Sequence, residues 1–265
     1  MGLNKEKYGQ FLFGSQINYT GTYLEEHSEG VGRNAVYRFL KHSDIGFEAI
    51  WEGVKKDIIY SKNGCIILDD TVLDKSYSYD IEPVRRQYSG NAHTVIKGIG
   101  VVNCIYFNPE LNRFWALDAR IFDPDNDGKT KLDHVSDMLD SLVDRKVRYR
   151  HVLMDTWYAT RDTMLKISDL GKIFYCPVRT NRLATEHSGE SYRQVGDLQW
   201  SESELLSGKT VKFKDFQKDK LLKLFRIVVS TNQIEYVVIP FSFFNSLIIF
   251  LFLCAFLQTL VKTFF

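Results

Sequence analysis

Ile67-Leu68-Asp69-Asp70-Thr71 closes one apolar run of the chain, and Leu153-Met154-Asp155-Thr156-Trp157 closes another. Each places a carboxylate where a buried strand should meet solvent. Strands that lie side by side can bring such ends together from distant parts of a sequence. Two divalent cations held about 4 Å apart can activate an attacking oxygen and stabilise a leaving one in phosphodiester cleavage or strand transfer. Hard Mg²⁺, with Mn²⁺ as its substitute, takes carboxylate oxygens rather than Cys or His. Asp70 and Asp155 are catalytic, metal-binding candidates of that kind, although either alone could simply cap a turn or the helix that follows.

The elements that must position them can be read from periodicity. Strand-like text covers 65–68, 94–107 and 113–122. The last two flank the turn Asn108-Pro109-Glu110-Leu111-Asn112, which predicts an antiparallel hairpin. Residues 131–143 have helical spacing, with Leu132, Val135, Met138, Leu139 and Leu142 on one face. A strand follows at 151–154, then a helix over 160–170 stopped by Gly171, then a strand over 172–178. Asp after the first strand, a hairpin, a helix, then Asp after the next strand is the ribonuclease-H-like order. The expected fold class is α/β, a ribonuclease-H-like mixed sheet with flanking helices. Alternation along the first strand points Asp69 and Asp70 to opposite faces, and the reading favours Asp70 as ligand over Asp69.

Four regions are expected. Residues 1–55 form a helical segment, 60–200 the core, 201–239 a β-rich insertion, and 240–265 an apolar tail. Within the first, 19–43 has the spacing of two short helices around Gly30-Val31-Gly32. This suits a helix-turn-helix whose second helix carries Arg33, Asn34, Tyr37 and Arg38, types able to reach base edges or phosphates. A plain amphipathic hairpin fits the same spacing.

Ile67-Leu68-Asp69-Asp70-Thr71, Ala92-His93-Thr94-Val95-Ile96-Lys97-Gly98, Gly128-Lys129-Thr130-Lys131 and Val152-Leu153-Met154-Asp155-Thr156-Trp157-Tyr158 resemble DDE transposases of the insertion-sequence-four superfamily, over roughly residues 15 to 238. The resemblance implies Mg²⁺ held by Asp70, Asp155 and a third ligand, a Glu on a helix beyond the β-rich insertion. It implies DNA as partner, both transposon inverted repeats and target DNA. It is also compatible with a homodimer and with a cytoplasmic, DNA-associated bacterial protein. Nothing from Pro240 to Phe265 matches the third motif, and Glu235 is the last acidic residue, in an expected strand. The expectation is a truncated or frameshifted copy with little strand-transfer activity. Two alternatives are a non-catalytic DNA-binding competitor of intact transposase and a membrane-tethered protein. The second follows only if the apolar run 241–261, long enough to span a bilayer, is native. The break in composition favours the frameshift.

Composition adds limits. A net charge of +1 gives no global attraction to nucleic acid, so binding would rest on local clusters. Lys129 and Lys131 on their turn are the first such cluster, and Arg85-Arg86 and the Arg145-to-Arg150 stretch are others. Cys65, Cys104, Cys176 and Cys254 form no CxxC pair and are expected as buried free thiols. The first ten residues lack the apolar stretch of a secretory signal. Asp123-Pro124-Asp125-Asn126-Asp127-Gly128 imitates the start of an EF-hand loop, but its twelfth position is His134 rather than a bidentate acid. Trp157 and Tyr158 could stack on a displaced base or pack in the core. His93 could be a core residue or a DNA contact.

Overall fold

The computed structural model describes residues 3–15, 19–42, 46–77, 81–186, 191–216, 220–230 and 233–241. The apolar tail lies outside the described residues apart from Pro240 and Phe241, as does Cys254. No helix among the described residues is long and apolar enough to cross a membrane.

The chain divides into two compact units, Met1–Ala49 and Ile50–Phe265. The first contains α1 (Lys5–Gly14), α2 (Gly21–Glu26) and α3 (Arg33–His42). Asn4 and Thr20 cap the first two helices by accepting from the backbone N–H of Lys7 and Tyr23. Leu24, Val31 and Val36 form a small core there, with Leu3, Tyr8 and Phe11 packed against it. The helix pair expected over 19–43 is present as α2 and α3; α1 was not foreseen. A further helix, α4 (Glu48–Val54), runs across the boundary between the units.

The second unit is built on strands. β1 (Cys65–Asp74), β2 (Arg85–Ser89), β3 (Thr94–Asn108) and β4 (Arg113–Phe122) precede the short helix α5 (Pro124–Asp127) and the long helix α6 (Lys131–Asp144). Then come β5 (His151–Met154), α7 (Arg161–Asp169), β6 (Ile173–Val178), β7 (Leu183–Thr185), β8 (Arg193–Gln194), α8 (Glu202–Ser207), β9 (Lys209–Phe213), β10 (Leu222–Ser230) and β11 (Gln233–Pro240). β3 pairs antiparallel with β1, and with β4 on its other side. β1, β5 and β6 run parallel. This is the mixed ribonuclease-H-like sheet that the order of elements suggested.

Parallel neighbours need a crossover; α6 completes the one from β1 to β5, and α7 supplies the one from β5 to β6. Thr130 starts α6 with a capping box, accepting from Asp133 N–H while Asp133 accepts from the Thr130 backbone. Its buried face is Val135, Met138, Leu139 and Leu142, joined by His134. These pack with Ile66, Leu68, Val102, Val152 and Met154 in the main core. The opposite sheet face carries a second cluster that includes Cys65, Ile67, Phe107, Leu153, Ile173 and Tyr175. β1 and β5 are thus buried on both faces, which is why their sequences read as unbroken apolar runs.

One expectation is corrected. The apolar run ending at Leu68 was taken as the end of a strand, but β1 continues to Asp74 because β3 keeps pairing with it as far as Asp74↔Gly98. The stretch expected as a β-rich insertion over 201–239 holds the antiparallel strands β9, β10 and β11, and β11 also pairs antiparallel with β6, so they join the main sheet. Cys65, Cys104 and Cys176 are free and buried, as read from sequence.

His151 begins β5 fully buried, beside the Tyr175 ring, and neither ring nitrogen has a hydrogen-bond partner among the described residues. Burial, with a smaller effect of Arg150, pushes its pKa down to about 4. The unfolded chain takes up this proton near pH 6.5 and the folded one does not until about 4, so stability is full above 6.5 and declines as pH falls between the two. Urea titrations at pH 7 and pH 5 should show a loss of about 2 kcal/mol that is reduced in His151→Phe. Leu139→Ala, which empties a fully buried position against the sheet, should cost about 3 kcal/mol by the same measurement at pH 7.

Candidate active site

Parallel pairing of β1 and β5 aligns Ile67 with Leu153 and Leu68 with Met154. One step further along the same register, Asp69 lies opposite Asp155, just beyond the end of β5. Ile67 and Leu153 belong to one face of the sheet, Leu68 and Met154 to the other. Alternation therefore carries Asp69 and Asp155 toward the face of the second cluster and Asp70 toward α6. Across the antiparallel pair, Asn103 stands opposite Asp69 and Val102 opposite Asp70.

Alternation, used above to favour Asp70, holds in the structure, but it gives Asp155's face to Asp69. Asp69 is half-buried, and its carboxyl is pushed up to about 6 by burial, with the negative charges of Asp70 and Asp155 adding to the effect. Asp155 is exposed and accepts a hydrogen bond from the Thr156 N–H that starts a single 3₁₀ turn, Thr156–Tyr158.

Asp70 is held from two sides. The ammonium of Lys131, the first residue of α6, reaches Asp70 Oδ2 at 2.5 Å, and the buried hydroxyl of Tyr158 donates to Oδ1 at 2.7 Å. Both charged side chains are about one-fifth exposed or less, 16% for Lys131 and 20% for Asp70, so this pair is screened far less than a surface one. Lys131 also lies over the Phe122 ring, 5.4 Å from its centroid. Burial first, then the nearby Asp70 carboxylate, drives the Tyr158 hydroxyl far toward its protonated form, fixing it as a donor.

The other sequence candidates fall in three places. Lys129 leaves the turn to pair with Asp137 at 2.6 Å, while Lys131 turns inward to Asp70 and not outward to solvent, because the capped N-terminus of α6 aims it at the sheet end. Arg33, Asn34, Tyr37 and Arg38 all lie on α3 with exposed side chains, while its Val36 is buried. Arg33 makes a loose pair with Glu25, and Arg38 Nε donates to the Asn34 carbonyl. Of the two aromatics after Asp155, Trp157 is 59% exposed whereas Tyr158 is wholly buried. The EF-hand-like stretch is a helical turn. Arg85 binds Asp123 and Asp125 at 2.9 and 3.0 Å, and Asp127 faces His134.

Sequence reasoning missed Tyr158 as a partner of Asp70 and Lys131 as its counter-ion. A Tyr three residues past Asp155, and a Lys at the first position of a capped helix, were the available signals.

The donor set suits a hard cation in kind, being carboxylate oxygens at one sheet end, with Asp69 carrying an unmet charge cost that a cation would remove. In number it is incomplete. Among the described residues no group of three or more His, Cys, Asp or Glu is assembled to hold a metal ion. Glu235 lies in β11, opposite Ile227, and takes no part.

Among solved structures the chain is similar to a piggyBac transposase, seen by cryo-EM in a synaptic complex with hairpin DNA, at 11% identity and a TM-score of 0.42. The likeness covers 90% of this chain and 47% of that one, so the chain spans about half the length of that protein. No curated protein matches it. The model of a family described as DDE superfamily endonuclease matches residues 22–194, a stretch that includes Asp69, Asp70, Lys131, Asp155 and Tyr158. With well over half of its length matched in this way, the chain belongs to the DDE superfamily endonucleases.

Proposed function

We propose that this chain carries the DNA-cleaving core of a transposase of the insertion-sequence-four kind, acting on transposon ends and target DNA. The observation that carries the reading is the β1–β5 register, which brings the Asp69-Asp70 pair and Asp155 to one end of the sheet in a chain of an endonuclease family. The quoted Asp-Thr and Asp-Thr-Trp-Tyr motifs support the narrower assignment.

Asp155 together with the Asp69-Asp70 pair would hold Mg²⁺, or Mn²⁺ in its place. When bound, the cation supplies activation of the attacking oxygen and charge stabilisation of the leaving one. The chain's own residues do the rest. Tyr158 and Lys131 fix the rotamer of Asp70 by charge-assisted hydrogen bonds, so little ordering is left to do when a ligand arrives. Lys131 offsets one of three clustered negative charges and keeps the site from repelling a phosphate outright. Arg33, Asn34, Tyr37 and Arg38 on α3 present the exposed polar and aromatic groups with which the helical segment would read an inverted repeat.

A site with no assembled group of three metal-ligating side chains among the described residues should hold the cation weakly and support little strand transfer.

Mn²⁺ binding followed by electron paramagnetic resonance tests the reading without needing turnover. Wild-type protein should bind Mn²⁺ weakly, and Asp155→Asn should weaken it about tenfold or more. Equal binding by wild type and Asp155→Asn would sink the proposal. Lys131→Met should destabilise the fold by about 2 kcal/mol in urea, since it leaves a half-buried carboxylate with Tyr158 alone. In gel shifts on an inverted-repeat duplex, Arg33→Ala combined with Arg38→Ala should weaken selective binding about tenfold, with a shallower salt dependence.

A further inference from the structure

The parallel strands β1 and β5 lead to carboxylates at one end of the sheet, and with β6 they begin among cations at the other. Cys65, His151 and Ile173 stand in register where the three strands start. The residues just before them, Gly64, Arg150 and Lys172, form the opposite pole. Backbone bonds tie the incoming loops together there: Arg150 N–H donates to the Gly64 carbonyl at 2.9 Å, and Ile173 N–H to the Arg150 carbonyl at 3.0 Å. A Cβ on Gly64 would overlap the Tyr106 hydroxyl, so this close approach requires glycine. The same hydroxyl accepts from Ser61 N–H at 2.8 Å, fixing the turn that carries Lys62.

The segment between α6 and β5 sorts its residues by alternation. Val147, Tyr149 and His151 are buried, whereas Lys146, Arg148 and Arg150 are exposed. Lys146 takes the left-handed conformation that ends α6, with φ 55°, and the N–H groups of Lys146 and Val147 return to the Val143 and Leu142 carbonyls, so the exit of the segment is set. Arg145, the first cation of the sequence cluster, turns inward instead and donates to the Leu117 carbonyl.

Aromatic rings, not acids, hold these cations in place. Arg148 lies over the Tyr60 ring, 4.8 Å from its centroid. Lys172 lies over the Tyr149 ring at 4.6 Å and donates to the Tyr149 carbonyl at 2.9 Å. A ring face or a carbonyl orients a cation and leaves its charge in place. Among the described residues none of Lys62, Lys146, Arg148, Arg150 and Lys172 forms an ion pair; Asp57 and Asp144 are exposed and reach none of them, and Asp169 pairs with Lys220. In a chain of net charge +1 this is a local excess. Like charges gathered at one end of three adjacent strands repel one another, a cost to folding that a polyanion removes. Arg150 and Asp155 flank β5, so the two poles lie about 16 Å apart at about 3.3 Å per residue, and a phosphate held at the carboxylates is out of reach of these cations.

We infer that the pole where β1, β5 and β6 begin is a phosphate-backbone site for duplex DNA, separate from the phosphate presented to the carboxylates, with Arg148, Arg150 and Lys172 as its main contacts and Lys62 and Lys146 at its rim. The inference rests on the DNA-processing reading above. Contacts of this kind position a duplex and carry no sequence information.

Fluorescence anisotropy with the full chain and two duplexes of unrelated sequence tests it. Arg148→Glu combined with Arg150→Glu should weaken binding about tenfold or more on both duplexes alike and flatten the salt slope by about two, while Arg148→Lys combined with Arg150→Lys should stay within about threefold of wild type. In the wild-type chain, bound duplex should protect Lys62, Lys146 and Lys172 from acetylation, mapped by mass spectrometry. That readout stands even if a variant fails to fold. Absence of the protection overturns the inference whatever the variants do, as does unchanged affinity in the double Glu variant. If heparin protects these lysines and duplex DNA does not, the pole serves a different acidic partner and the inference is likewise overturned. If wild type binds DNA through Arg33 and Arg38 only, this assignment falls while the DNA reading stands; if wild type binds no DNA, both fall.

Discussion

Parallel pairing between β1 and β5 is the constraint on which the rest of the second unit depends. A parallel pair cannot be closed by a tight turn, so the chain between the two strands must travel out and back. Here it does so as β2, β3, β4, α5 and α6. The route has two results. It covers the helix-side face of β1 and β5 with Val135, Met138, Leu139 and Leu142, and it brings the N-terminus of α6, with Lys131, to the strand end where Asp70 lies. The same crossover that stabilises the sheet thus delivers the counter-ion of its most constrained carboxylate.

The two-residue period of a strand then sorts adjacent acids into different roles. Asp70, turned toward α6, has both oxygens engaged by Lys131 and Tyr158. Asp69, turned the other way, has burial and two neighbouring carboxylates working against its charge, and its pKa rises to about 6. One acid is positioned and the other is left with an electrostatic cost. A cluster of like charges at a sheet end contributes nothing to folding, and such costs concentrate where a ligand relieves them.

Most of the scaffold was legible in the sequence, for identifiable reasons. α6 announced itself through helical spacing, α7 through Gly171 at its end, and the β3–β4 hairpin through the turn at Asn108-Pro109. β2 was not read because Arg-Arg-Gln-Tyr-Ser has no apolar alternation; as an edge strand it buries only Ser89. The end of β1 was misplaced because Asp69 and Asp70 interrupt the hydrophobic run, although strand pairing with β3 continues beneath them. Tertiary pairing, which local composition cannot report, decided both.

The site shows the same division more sharply. The residue types at the sheet end were evident, since carboxylates closing apolar runs are unusual. Which of two adjacent carboxylates faces Asp155 was not, because alternation says only that they differ. Resolving it requires knowing that Leu68 pairs with Met154 and not with a neighbour of it. A shift of one residue in that register would exchange the roles of Asp69 and Asp70, sending Asp69 to Lys131 and leaving Asp70 beside Asp155. What prevents the slip is burial on both faces. Ile66 and Val152 on one side, and Ile67 and Leu153 on the other, would all have to exchange cores that differ in shape and partners. The chemistry at the end of the strand is therefore specified by apolar residues that never touch it.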